Sequence, residues 1–334
     1  MSSNSTNSTV VFVPTFDTCD EVNEQCPVEA QMYGDYFTKS ACIWFTLLYF
    51  TCFCTQMVYA WRSKAWSYGA WLGVGTAFEA MGYAARIIMC DDPWNFNAFL
   101  AQNLGLVLAP TFIAAATSII FKHLIDWYGS EWSLFRPALL PWILVGSDMV
   151  SIAVQGTGGA VAPMASSKSG KEAQDLMDIG NGLLLGGTIF QVVNMVVCGG
   201  IMLLYLWKRK QSLGRFRSRL GSSDLQDSGK ASGGKGQYDF EATLKVYIWS
   251  LVVAYNLILV RCIYRAIEMA SGWGSDIMKT EAIFITFESH MILTAVALMT
   301  IFHPYIFFPV AGRGGVARSR RSVHSDIQEL RPMN

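Results

Sequence analysis

Charge is scarce in this chain. Asp, Glu, Lys and Arg make up only 15% of its 334 residues, against about 25% in a soluble globular domain. An ordinary soluble protein is therefore excluded. There is no basic excess either, since 25 Lys and Arg balance 25 Asp and Glu; a nucleic-acid partner would call for one. Histidine is rare, at four residues. Of these, His290 and His303 share one apolar stretch and stand thirteen positions apart, about 20 Å along a helix. That distance excludes a two-histidine zinc site and argues against a membrane metallohydrolase. No Cys-x-x-Cys spacing and no Gly-x-Ser-x-Gly elbow occurs. The run Gly229 to Lys235 ends Gly-Lys-Gly and follows no strand, so it is not a phosphate-binding loop. The last apolar stretch has no Lys beyond its edge, which excludes a retinal Schiff base. No enzyme activity, cofactor or metal is expected.

What is abundant is apolar. Hydrophobic residues reach 52% and mean hydropathy is +0.32. Seven stretches, near 40–61, 67–89, 98–121, 137–157, 180–206, 243–270 and 280–309, meet the roughly 20 residues that a bilayer crossing requires. Helices are expected, because lipid-exposed backbone must satisfy its own hydrogen bonds. The fold expected is an all-α, seven-transmembrane helix bundle. The first stretch follows a polar arm and is too long for a cleavable signal.

Most Lys and Arg fall on one side of these stretches: Arg62, Lys64, Lys122, Arg136, the segment Lys208–Lys245 and the tail from Arg313 to Arg331. Basic residues mark the cytoplasmic side, so the N-terminus is expected outside and the C-terminus inside. Residues 1–39 then form an extracellular arm, 40–310 the membrane domain and 311–334 a cytoplasmic tail. A Gly-, Ser- and Lys/Arg-rich segment, about 208–240, reads as a flexible cytoplasmic loop. The arm carries two sequons, at Asn4 and Asn7, compatible with glycosylation. It also holds Cys19 and Cys26, where disulfides persist. A Cys19–Cys26 bridge competes with a pairing of either to Cys90. The remaining cysteines fall in the stretches as small apolar fillers.

Ionisable residues inside a membrane are costly and must face the bundle interior or water. This chain places Glu79, Arg86, Asp148, Arg261, Arg265, Glu268, Glu288 and His290 there, with Glu281 at an edge. Glu79 and Arg86 are seven apart, as are Asp148 and Gln155, Arg261 and Glu268, and Glu281 and Glu288. That spacing is nearly two helical turns and keeps each pair on one face. Arg261, Tyr264, Arg265 and Glu268 form one polar stripe. A rise of about 10 Å over seven residues is too long for ion pairs within most of these sets. Partners should come from other helices, with Arg265–Glu268 the exception. One polar cavity, open toward the outer side, is expected. A G-protein-coupled receptor is excluded by motif. The third stretch ends Lys122-His123-Leu124-Ile125-Asp126, and the seventh has His303-Pro304-Tyr305 where such receptors carry Asn-Pro-x-x-Tyr.

In order along the chain stand Glu79-x-x-Gly82-Tyr83-x-x-Arg86, Leu108-Ala109-Pro110, and Asp148-x-x-Ser151-x-x-x-Gln155-x-x-Gly158-Gly159. Gln191, Arg261-x-x-Tyr264-Arg265-x-x-Glu268 with Gly272, Glu281 and His303-Pro304 follow. On these motifs the sequence resembles the fungal lipid-translocating exporter family, which includes aminocholesterol-resistance proteins and sphingoid long-chain-base translocators. The resemblance covers roughly residues 40–310. It departs at Glu288, Thr280 and Tyr305, where the family usually has Asp, His and Gly. It implies a plasma-membrane protein that binds and translocates or releases an amphiphilic lipid and contributes to resistance to toxic lipids or drugs. Glu79, Tyr83, Arg86, Asp148, Ser151, Gln155, Arg261, Tyr264, Arg265, Glu268, Glu281 and Glu288 are the substrate-site candidates. Partners are then membrane lipids and an amphiphilic small molecule. The alternative is a lipid-sensing receptor or regulator that does not transport.

Overall fold

The computed structural model describes residues 14–304, apart from 129–139, 165–170, 220–234 and the single positions 15, 17, 20, 32, 65, 273 and 274. The chain is an all-α membrane helix bundle. Its long helices are α1 (Lys39–Ser63), α2 (Trp66–Asp91), α3 (Phe96–Tyr128), α4 (Leu140–Met164), α5 (Lys171–Arg219) and α6 (Lys235–Ala270). The last is α7 (Glu281–Ile301). Five of them, α1, α3, α5, α6 and α7, are long and apolar enough to cross a membrane. The other two match in length at 26 and 25 residues. They hold Glu79 and Arg86 (α2) or Asp148 and Gln155 (α4), polar groups that lower hydropathy and lie buried against neighbours.

Helix covers much of the segment expected as a flexible loop. The α5 helix runs on to Arg219 and α6 begins at Lys235, so only 220–234 of that loop lies outside the described residues. The added turns are rich in Lys, Arg, Gln and Leu, all strong helix formers. At the other extreme α7 stops at Ile301, just before His303-Pro304, as the restriction on residues preceding proline demands.

Burial is uneven. In its most apolar window α3 is 72% buried, against 22% in α1 and 28% in α5. So α3 is the inner helix, while α1 and α5 turn Trp44, Leu47, Phe50, Val193 and Val197 outward. Small residues bring helices together, as they do in membranes generally. A side chain on Gly105 would stand 2.8 Å from the Phe78 carbonyl oxygen and 3.1 Å from Gly82, fixing a close α2–α3 approach. Gly187 likewise lies against Ser151 and Gln155, closing α5 on α4. Gly272 ends α6 with φ +82, the left-handed conformation glycine adopts without penalty.

Candidate functional site

The polar stripe of α6 points inward. Arg261, Tyr264, Arg265 and Glu268 are all buried, while Val260, Ile263 and Ile267 between them are exposed. Arg261 is 2% exposed and makes two contacts across helices. It pairs with Glu288 of α7, and its Nη2 donates to the Leu106 carbonyl of α3 at 2.5 Å. Pro110 explains that second acceptor. Proline has no N–H, so the carbonyl four residues earlier loses its helical donor. Within α3 that carbonyl belongs to Leu106, and the arginine supplies the missing hydrogen bond.

Arg265 pairs with Glu268 one turn on, at 2.6 Å, and also donates to Asn103 Oδ1 of α3. Glu79 of α2, 1% exposed, faces Arg261 and Glu288 electrostatically. Tyr264 stacks on Phe287, centroids 5.7 Å apart. Polar capacity is left over at this centre. Glu79 Oε1, Arg261 Nε, Arg265 Nε, Glu288 Oε2, Tyr264 OH and Arg86 Nη1 are buried with no hydrogen-bond partner.

Local backbone geometry makes the α7 contribution. Ile285–His290 is a π-helical turn inside α7. The wider turn lets two consecutive residues, Glu288 and Ser289, both be buried while Phe287 stays 39% exposed. Such turns are frequent at functional sites. Tyr83 donates to Ser289 Oγ at 2.5 Å, and Tyr49 donates to the Ser289 carbonyl at 3.0 Å.

The N-terminal arm closes one end of this centre. Cys19 and Cys26 form a disulfide, with Cα atoms 5.9 Å apart, and Cys90 is a free thiol. Trp94 Nε1 donates to the Cys26 carbonyl at 3.3 Å, and Gln31 Nε2 to the Pro93 carbonyl at 2.6 Å. Phe37 of the arm and Phe284 of α7 sandwich the Arg86 guanidinium at 3.7 and 4.0 Å, with Tyr33 at 5.8 Å. Arginine over aromatic faces is attracted by the ring quadrupole. Burial pushes the Tyr33 phenol up from its usual range, so it stays neutral and accepts a hydrogen bond from Gln102 at 3.0 Å. Glu281, expected among the substrate groups, lies where α7 meets the arm. Its carboxylate accepts from the Thr38 N–H at 2.9 Å and the Thr38 hydroxyl at 2.7 Å.

The α4 residues go elsewhere. Ser151 donates to the Gly187 carbonyl of α5 at 2.5 Å. Gln155 Nε2 donates to Ser151 Oγ at 2.9 Å and Gln191 Oε1 at 3.2 Å. Gln191 passes the chain to Thr111 of α3 at 2.8 Å. Asp148 accepts from Asn194 Nδ2 at 2.6 Å. The expected site residues thus fall into two groups. The charges of α2, α6 and α7 are closed under the arm, and Asp148, Ser151 and Gln155 serve a separate α4–α5 seam. The close helix approach at Gly187 draws them there.

Several residues escaped the sequence reading: Asn103, Asn194, Ser289, Phe37, and a Thr76–Gln56–Thr300 hydrogen-bond chain at 3.0 and 2.8 Å linking α2, α1 and α7. The carbonyl of Leu106 escaped it too, although the offset of four residues from Pro110 could have found it. No group of three or more metal-ligating side chains occurs among the described residues. The sequons at Asn4 and Asn7 lie outside the described residues.

Residues 72–311 match the family described as RTA1 like protein. A sphingoid long-chain base transporter, RSB1 of Saccharomyces cerevisiae, is 27% identical over 245 residues, covering 69% of this chain and 62% of the relative. Protein RTA1 of the same organism is 24% identical, covering 70% and 64%. Its protoporphyrin uptake protein 1 is 22% identical, covering 68% and 65%. The chain thus spans somewhat under two thirds of the length of these relatives. No solved structure matches it.

Proposed function

Since the chain belongs to the RTA1-like family, we propose that it is a seven-span plasma-membrane protein that binds an amphiphilic lipid, sphingoid-base- or sterol-like, and translocates or releases it toward the outside. The extracellular arm and cytoplasmic tail follow from the placement of Lys and Arg. A contribution to resistance against toxic lipids or drugs goes with this reading. The observation that carries it is the closed centre of α2, α6 and α7. Its ionisable side chains are three arginines and three glutamates, yet five of their buried polar atoms, and the Tyr264 hydroxyl, lack partners. A network that only fixed packing would be satisfied internally, since buried polar groups are hydrogen-bonded as a rule.

Glu79, Arg86, Arg261, Arg265, Glu268 and Glu288 act as the charged groups that exchange partners when a headgroup arrives. Tyr83 and Tyr264 supply hydroxyls, and Asp148, Ser151 and Gln155 form the second polar seam. The arm is the outer closure, so a lipid leaves when Phe37 and Tyr33 lift from Arg86. A sensing role without transport draws on the same closure, because a sealed centre can report occupancy without passing the ligand on. Reconstitution in liposomes with a fluorescent sphingoid base, with and without a pH gradient, separates the two. Movement between leaflets without other proteins is the expected result. Binding with no movement would establish the sensor instead.

A further inference from the structure

Glu288 and Glu268 at the centre each have an arginine, whereas Asp148 has none among the described residues. It is 5% exposed. Its Oδ1 accepts from Asn194, while its Oδ2 has no hydrogen bond, and no Lys or Arg lies within ion-pair distance, among the described residues. A buried acid at membrane depth without a cation is an unfinished arrangement. Beside it is a small recess of about 10 Å³, room for one water-sized group such as an ammonium head, lined also by Ser118, Asn194, Cys198 and Tyr255, where α3, α4, α5 and α6 meet. Ser118 donates to the Ala114 carbonyl at 3.1 Å, and Tyr255 donates to the Met195 carbonyl at 2.6 Å. Both hydroxyls therefore spend their protons on backbone; each oxygen is within reach of the Cys198 thiol, which can occupy one lone pair and leaves the other. An ammonium has three donors and no acceptor. Asp148 Oδ2, Ser118 Oγ and the Tyr255 oxygen supply three acceptors and one negative charge.

The surroundings say what the rest of the ligand is. Met149 and Val150 beside Asp148 are 36% and 58% exposed, and Val193 and Val197 flanking Asn194 are 54% and 53% exposed. These are the outward, apolar flanks of α4 and α5. We propose that this recess recognises the primary ammonium head of a single-chain amphiphile, reached sideways from the bilayer between α4 and α5, with the alkyl tail against those flanks. The central arginines are not part of it. The inference rests on the reading of the chain as a lipid handler and places the head of that lipid.

The test uses the full chain in detergent micelles and compares binding of sphingosine with N-acetylsphingosine, which has the same tail and no charge, and with butylamine, which has the charge and almost no tail. Wild type should prefer the amine over the amide by about a hundredfold, as charge-assisted hydrogen bonds allow. Asp148→Asn, nearly isosteric, should cut that preference to within about threefold, and Ser118→Ala should lower it by about fivefold. Should Asp148→Asn not fold, as read from its melting temperature, Ser118→Ala and Tyr255→Phe carry the test. A wild-type chain that does not distinguish amine from amide, or a preference that survives Asp148→Asn, would overturn the assignment. Butylamine binding as tightly as sphingosine would overturn the lipid part and leave a soluble amine as ligand. Failure of the function reading is a separate result: no leaflet-to-leaflet movement in liposomes, whatever the binding ratio.

Discussion

The α6–α7 centre and the α4–α5 seam handle buried charge in opposite ways. At the centre two acids are paired with arginines: Glu288 meets Arg261, and Glu268 meets Arg265. At the seam the polar groups named above are amides and hydroxyls, and the carboxylate of Asp148 has Asn194 as its hydrogen-bond partner among the described residues. The centre therefore depends on keeping both signs together, because removing one partner of a buried pair leaves an uncompensated charge. The seam carries no such penalty. It is a neutral hydrogen-bond ladder with a single acid set against a recess.

Substitutions can break this contrast, beginning with the largest effect. Arg261→Met should destabilise the protein by about 3–5 kcal/mol, the usual result of orphaning a buried charge. The double change Arg261→Met with Glu288→Leu should be milder than the single one, since paired charges replaced by apolar groups are often neutral. Thermal unfolding in detergent reads both, and a double variant worse than the single would end the ion-pair account of the centre. Gly187→Val places a branched side chain where Gln155 and Ser151 now sit. A loss of about 1–3 kcal/mol is expected from overpacking, seen as a lower melting temperature.

Gln155→Leu removes the bonds to Ser151 and Gln191. Hydrogen bonds between membrane helices average about 0.6 kcal/mol, so a loss of that order is expected in an unfolding titration. Asp148→Asn should be the smallest, within about 0.5 kcal/mol of wild type, because it removes a charge that no cation offsets. A large destabilisation there would mean that Asp148 has a cationic partner, and the contrast between the two regions would collapse.

The sequence displayed the helical class, the arm and nearly all the buried charges. Membrane burial makes an ionisable side chain conspicuous, so Glu79, Arg261 and Glu288 could be found by position alone. Spacing also identified Arg265–Glu268, since i, i+3 neighbours touch on any helix. What spacing could not give is which helix stands opposite which face. Asp148 and Gln155 share a face as expected, but Gly187 and its neighbours bring that face to α5 and away from the arginines. Glu281 sits at a helix end, where depth is ambiguous, and the arm claims it through Thr38. The extension of α5 to Arg219 went unforeseen because the Gly and Ser of the segment suggested a linker, although its first turns are built of helix formers.

The π turn in α7 has an arithmetic consequence. It accommodates one residue more than a regular helix would over the same height, so the portion toward the arm runs out of phase with the portion beyond. Deleting one residue between Ile285 and Phe287 would restore regular winding and rotate Glu281–Phe284 by about 100° around the axis. Glu281 would then point away from Thr38, and Phe284 away from Arg86. A single surplus residue thus sets the rotational phase on which the clasp of the arm depends.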